Sequence, residues 1–146
     1  MQKVNVVEGI LETAVELANT VVEFGEKYSI DFFEKRIKGK KSLVVCGLVD
    51  NKTVGAIVAY DKYLDGSFYC WMAGVNPKYR RLGVLSSMMD YLENWAKKNG
   101  YKSIKIKTRN NKREMLGYLV KNGYDFLEVV EKENIGNSRI LLEKLF

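Results

Sequence analysis

The chain has 146 residues, 47% hydrophobic and 29% charged, with 24 lysines and arginines against 18 acids and a formal net charge of +6. That length fits one domain able to bury about 70% of its unfolded surface, and the composition is that of a globular protein in water. Histidine is absent, which excludes Ser-His-Asp and Cys-His catalysis and His-containing zinc sites.

Taken in chain order, residues 1–8 read as a short first strand. Glu8 and Glu12 interrupt the first apolar stretch, so it is not a signal peptide. From Gly9 to about Gly25, Ile10, Ala14, Leu17, Val21 and Phe24 recur at helical spacing. A second helix is predicted over Ile30–Lys38, burying Phe33 and Ile37 and ending near Gly39. Leu43–Val49, Thr53–Tyr60 and Ser67–Val75 are apolar strands joined by short polar turns, the pattern of an antiparallel meander. Leu43–Val49 is also the longest apolar run, far short of a membrane span. Cys46 and Cys70 lie inside these runs and read as buried free thiols. Gly74 marks a bulge or a close backbone approach.

The pattern then changes. Gly83–Lys98 places Val84, Leu85, Met88, Met89, Leu92, Trp95 and Ala96 on one helical face. Ser103–Thr108 alternates Ile104 and Ile106 with Lys105 and Lys107, the signature of a strand with one wet face. A further helix over Lys112–Asn122 packs Met115, Leu116, Leu119 and Val120, and strands over Tyr124–Glu131 and Ser138–Leu145 close the chain. No linker interrupts the pattern, so residues 1–146 are expected to form a single domain. A meander followed by strand–helix–strand–helix–strand–strand predicts an α/β (mixed α+β) three-layer fold.

Charge is spread unevenly. Residues 1–34 hold seven acids against Lys3 and Lys27, a net −5, and residues 76–113 hold eleven bases against Asp90 and Glu93, a net +9. The basic segment suits a nucleic acid or a polyphosphate cofactor. No helix-turn-helix, finger or ribonucleoprotein aromatic signature accompanies it, so neither nucleic acid nor membrane is an expected partner. At its centre, the strand ending at Val75 runs through Pro77, Lys78, Arg80, Arg81 and Gly83 straight into a helix. The first N–H groups of a helix lack intrahelical acceptors and sit at the positive end of its dipole. Arginines there oppose the dipole unless an anion binds, whereupon they become charge-assisted donors.

Residues 75–89 resemble the cofactor loop Val-x-Pro-x-x-Arg-x-x-Gly-x-Gly/Ala of the GNAT family of N-acetyltransferases, and the element order around them resembles that family's fold from start to finish. The resemblance implies a strand pair, Ser67–Val75 and Ser103–Thr108, that splays apart to admit the pantetheine arm of acetyl-CoA. Ala73, Gly74 and Val75 would meet that arm with backbone. Arg80, Arg81, Leu82, Gly83, Val84, Leu85 and Ser86 would hold the pyrophosphate, and Asn111 would complete the cofactor set, with no metal. Leu85 departs from the pattern, which has Gly or Ala there; its side chain is expected to turn to the core while its N–H faces the phosphates.

A weaker likeness covers 108–124, where the family's pattern is Asn-x-x-Ala-x-x-x-Tyr-x-x-x-Gly-Phe, with Tyr near the thioester sulfur. Aligned on Gly123-Tyr124, it puts Leu119 at Tyr and Lys112 at Asn, while Tyr118 and Asn111 each fall one residue early. Tyr118 is the candidate general acid; no general base declares itself. Glu23, Glu26, Asp31 and Glu34 fall where the resemblance docks the acceptor, and read as either a solvated helix face or an attraction for a cationic amine. Tyr60, Tyr63, Tyr69 and Trp71 read as either packing or an acceptor wall. The implied activity is N-acetyl transfer to an amine acceptor by direct attack in a ternary complex, in a cytoplasmic protein able to form a homodimer. The alternative is a non-catalytic acyl-CoA-binding or regulatory module.

Overall fold

Short polar turns fold the first half of the chain back on itself. The computed structural model describes residues 3–21 and 28–146. Strand β1 (Val4–Glu8) pairs antiparallel with β2 (Ser42–Val49), β2 with β3 (Lys52–Tyr60), and β3 with β4 (Ser67–Val75). The β2–β3 hairpin turns on Asp50 and Asn51, both with positive φ, 51° and 63°. A two-residue loop needs that left-handed pair, and Asp and Asn tolerate it best after glycine.

Helix α1 (Leu11–Ala18) and helix α2 (Ile30–Ile37) lie between β1 and β2 in sequence. Ile10, expected on the helical face, precedes α1 and is 62% exposed. The helix stops eight residues in because Asn19 bonds elsewhere: its side chain accepts from the Tyr28 N–H at 2.7 Å and donates to the Tyr28 carbonyl at 3.1 Å. Val21, expected on the same helix, lies past its end; the rest of the expected stretch, through Phe24, lies outside the described residues. Ser29 caps α2 by accepting from the Phe32 N–H.

Helix α3 (Val84–Lys98) crosses over the sheet, so the next strand, β5 (Ser103–Arg109), runs parallel to β4. Helix α4 (Arg113–Lys121) leads to β6 (Asp125–Val130), and β7 (Arg139–Leu145) inserts between β5 and β6. The result is a seven-stranded sheet in the order β1-β2-β3-β4-β5-β7-β6, matching the predicted α/β class. On one face α1 and α2 cover a core built on Ala14, Leu17, Phe33, Val44, Val58 and Met72. On the other, α3 and α4 cover Val45, Ile57, Phe68, Met88, Leu92, Ile104 and Leu119.

Two placements depart from the sequence pattern. The bulge in β4 falls at Trp71, where Val58 pairs with Met72 and Ala59 with Cys70, while Gly74 stays in register opposite Ala56. The extra residue leaves Trp71 and Met72 with the α1–α2 core and turns Ala73 and Val75 to the α3–α4 core. Glu93, on α3, is buried: its carboxylate accepts from the Tyr124 hydroxyl at 2.9 Å and from Lys144 Nζ at 2.8 Å. Both partners come from the end of the chain, so the sequence spacing of α3 carried no sign of them.

Candidate active site

β4 and β5 stay paired only from Ser67↔Ser103 to Cys70↔Ile106. Beyond that β4 remains on β3 as far as Val75, and β5 remains on β7 as far as Arg109. The two strands therefore part, just after the bulge at Trp71 adds local twist. A groove of about 840 Å³ opens there and runs through the sheet from the α3–α4 side to the α1–α2 side. That volume suits an extended small-molecule ligand.

The loop leaving β4 is built to face this groove. Asn76 starts a 3₁₀ turn over Pro77–Tyr79, its side chain accepting from the Lys78 N–H at 3.0 Å. Arg80 Nε donates to the Val75 carbonyl at 3.3 Å, pinning the loop to the end of the strand. Arg81 then adopts a left-handed φ of 66° and Gly83 one of 83°. Non-glycine residues pay for that conformation, and such strain collects at functional loops. Gly83 is the N-cap of α3, with no side chain bonding the helix start. The Ser87 N–H reaches the Gly83 carbonyl at 3.0 Å, which leaves the N–H groups of Val84, Leu85 and Ser86 without an intrahelical acceptor.

Ala73, Gly74, Val75, Arg80, Arg81, Gly83, Val84, Leu85, Ser86, Asn111 and Tyr118, all singled out in the sequence, line the groove. Leu82 does not; it is 40% exposed. Leu85 is half-buried and packs against the α3–α4 core while bordering the groove. Arg80, Arg81, Lys107, Arg109, Lys112 and Arg113 line the groove against one carboxylate, Glu114, among the described residues. That balance favours a polyanion.

Helix α4 places Tyr118 on the groove and Leu119 in the core, where it is fully buried. Burial pushes the Tyr118 phenol up to about 12; Glu93 and Asp90 add to the rise, and a hydrogen bond with Ser86 opposes it. At neutral pH it is therefore a protonated donor beside the loop serine. Cys46 and Cys70 are buried, and burial raises the Cys70 thiol to about 12, so neither is poised as a nucleophile.

At its other end the groove meets aromatic rings. The Trp71 ring lies tilted at 4.7 Å from Phe33 and 5.8 Å from Phe32, and Tyr28 lies 5.6 Å from Phe32. Trp71, Tyr28, Phe32 and Phe33 line the groove, while Tyr60 and Tyr69 are buried behind them and Tyr63 stands off it. Phe33 was legible only as a core position and Phe32 was not singled out, because nothing local to α2 shows that Trp71 lies beneath it. Asp31 and Glu34 are exposed and do not line the groove, and Glu23 and Glu26 lie outside the described residues. Among the described residues no group of acidic or cysteine side chains could hold a metal, and no helix is long and apolar enough to cross a membrane.

Comparison with known proteins agrees with this arrangement. A family model described as the acetyltransferase (GNAT) family matches residues 11–124. No curated protein matches the sequence. Among solved structures, the ribosomal-protein-S18-alanine N-acetyltransferase of Escherichia coli superposes with a TM-score of 0.83 at 13% identity, covering 98% of this chain and 94% of that one. A GNAT family acetyltransferase of Elizabethkingia anophelis with acetyl-CoA bound gives 0.77 at 15% identity, with 98% of each chain covered. The PaiA N-acetyltransferase of Thermoplasma acidophilum in complex with coenzyme A gives 0.72 at 16% identity, with 99% of each covered. At these identities the likeness is one of fold.

Proposed function

The chain belongs to the acetyltransferase (GNAT) family, and from that premise we propose that it transfers the acetyl group of acetyl-CoA to a primary amine while both are bound. One observation carries this reading: the uncapped start of α3, a run of basic side chains and the splayed β4–β5 gap all open onto a single groove. The pyrophosphate lies against the N–H groups of Val84, Leu85 and Ser86, with Arg80 and Arg81 beside it. The pantetheine arm follows the β4 backbone at Ala73, Gly74 and Val75, and the N–H groups of that stretch that face away from β3 stabilise the oxyanion that forms as the amine attacks. The amine nitrogen bonds to the thioester carbon, the C–S bond breaks, and the thiolate takes a proton from Tyr118. The ammonium proton left on the nitrogen passes to water, and Tyr118 regains its own proton from solvent.

Two measurements test this. Acetyl-CoA at a hundredfold excess over its dissociation constant adds about 2.7 kcal/mol of stability, a rise of roughly 5–10 °C in Tm for a domain this size. An unmoved Tm at millimolar acetyl-CoA would sink the cofactor assignment. Tyr118→Phe should lower kcat by about a hundredfold, within the range for a lost general acid, while acetyl-CoA affinity stays within about threefold. Unchanged kcat would make water the proton donor instead. That no general base stands at the acceptor end among the described residues also favours a second reading, an acyl-CoA-binding module without turnover. Thioester consumption with a panel of amines separates the two, since a binder gains stability from the ligand without consuming it.

A further inference from the structure

Among the described residues three cations stand at or beside the acceptor end of the groove: Lys107 lines it, and Arg36 and Lys62 border its aromatic rings or the rings behind them. Arg36 Cζ stands 4.8 Å from the centre of the Trp71 ring and 5.8 Å from that of Phe32. Lys62 Nζ stands 4.8 Å from the Tyr69 ring centre, and Lys107 reaches the groove from the wet face of β5. Lys62 and Lys107 are both half-buried. Burial holds the Lys62 ammonium below its ordinary value, with repulsion from Lys107 and Arg36 adding to the effect.

No described carboxylate pairs with any of the three. Asp65 is taken by Lys105 at 2.7 Å, and Glu93 by Lys144. Glu128 lies in register with Lys107 across Leu141, a separation of about 9–10 Å at two strand spacings. Cation–π contact offsets part of the cost of clustering like charges. A bound anion would offset far more, because each cation would then donate a charge-assisted hydrogen bond.

We propose that the acceptor is a primary amine that also carries an anionic group, a carboxylate or a phosphate, held by Arg36, Lys62 and Lys107 while its apolar part lies on Phe32 and Trp71. This rests on the acetyl-transfer reading above and names the class of acceptor for that same site. The net charge of the N-terminal segment points the other way, yet among the described residues Lys107 and the aromatic rings line this end of the groove, and Arg36 stands against two of those rings.

The test compares matched amines: phenylalanine against phenethylamine for a carboxylate, and pyridoxamine 5′-phosphate against pyridoxamine for a phosphate. In at least one pair the anionic member should be acetylated with a kcat/KM about tenfold higher or more, expressed mainly in KM. Arg36→Met and Lys62→Met should each shrink that preference to about twofold while acetyl-CoA affinity is unchanged. Equal or faster reaction of the neutral member in both pairs overturns the proposal and leaves acetyl transfer intact, since thioester is still consumed. If no amine consumes thioester, the transfer reading fails, and calorimetric binding of the same four compounds decides this one. Tighter binding of an anionic member by about tenfold supports it; equal binding, or none, overturns it.

Discussion

Replacing Gly83 with valine is expected to weaken acetyl-CoA binding by about tenfold or more while lowering Tm by only a few degrees. Gly83 holds φ at 83°, where an L-residue pays roughly 1–2 kcal/mol and a β-branched one more. A Cβ built there meets nothing within 4 Å, so the whole cost is in the backbone. An exposed loop sheds that cost by changing its own path, and the path aims the N–H groups of Val84, Leu85 and Ser86. About 1.4 kcal/mol of lost donor geometry is a factor of ten in affinity. Gly83→Asn is the control, because asparagine tolerates the left-handed region; it should bind acetyl-CoA within about threefold of the parent. If the valine variant binds as tightly as the parent, as read by calorimetry, the loop does not hold the phosphates.

Gly55→Val should strike both stability and cofactor binding. Gly47 and Gly55 are paired in register on β2 and β3, and together they form a flat seat for the first turns of α3. A Cβ at Gly55 would come within 2.8 Å of Val84 Cγ1 and 2.9 Å of Met88 Cε; one at Gly47 would come within 2.8 Å of the same Val84 carbon. Val84 and Met88 are buried at 2% and 0% exposure, so neither can swing aside. Overpacking of this kind costs about 1–3 kcal/mol, a fall of roughly 3–10 °C in Tm. The helix relieves it by lifting its N-terminal turn, which carries the donors of the groove, so acetyl-CoA affinity should fall as well. Gly117→Ala, on α4 with nothing within 4 Å of its Cβ, should instead stabilise by about 0.5–1 kcal/mol through helix propensity. A Gly55 variant with the parent Tm would show that α3 is not seated on these glycines.

How far the sequence could be read depended on the range of the interactions involved. The meander was legible because apolar runs and the short polar turns between them are local features, and Ser67–Val75 matches β4 at both ends. The end of α1 was not, because Asn19 stops it by bonding to Tyr28, nine residues away. Nor was the bulge: Gly74 is the residue that looks permissive, yet the extra residue sits at Trp71, where packing on both faces of the sheet must change over. Glu93 entered the sequence reading only as one of two acids in a basic segment; its burial depends on Tyr124 and Lys144, 31 and 51 residues on.

The same division runs through the groove. By itself the sequence determined the basic loop that leads into an uncapped helix start, because its parts are backbone conformation, a glycine and a helix start, all within residues 75–89. It also determined the family. Only the tertiary structure decided that Tyr118 rather than Leu119 borders the groove, since a helix face is assigned by what packs against it. Only the tertiary structure set Arg36 over Trp71, Lys62 over Tyr69 and Lys107 on the groove. Those three come from α2, a loop and β5, and no local pattern relates them; they meet because the sheet aligns distant segments and the parting of β4 and β5 opens a path between them.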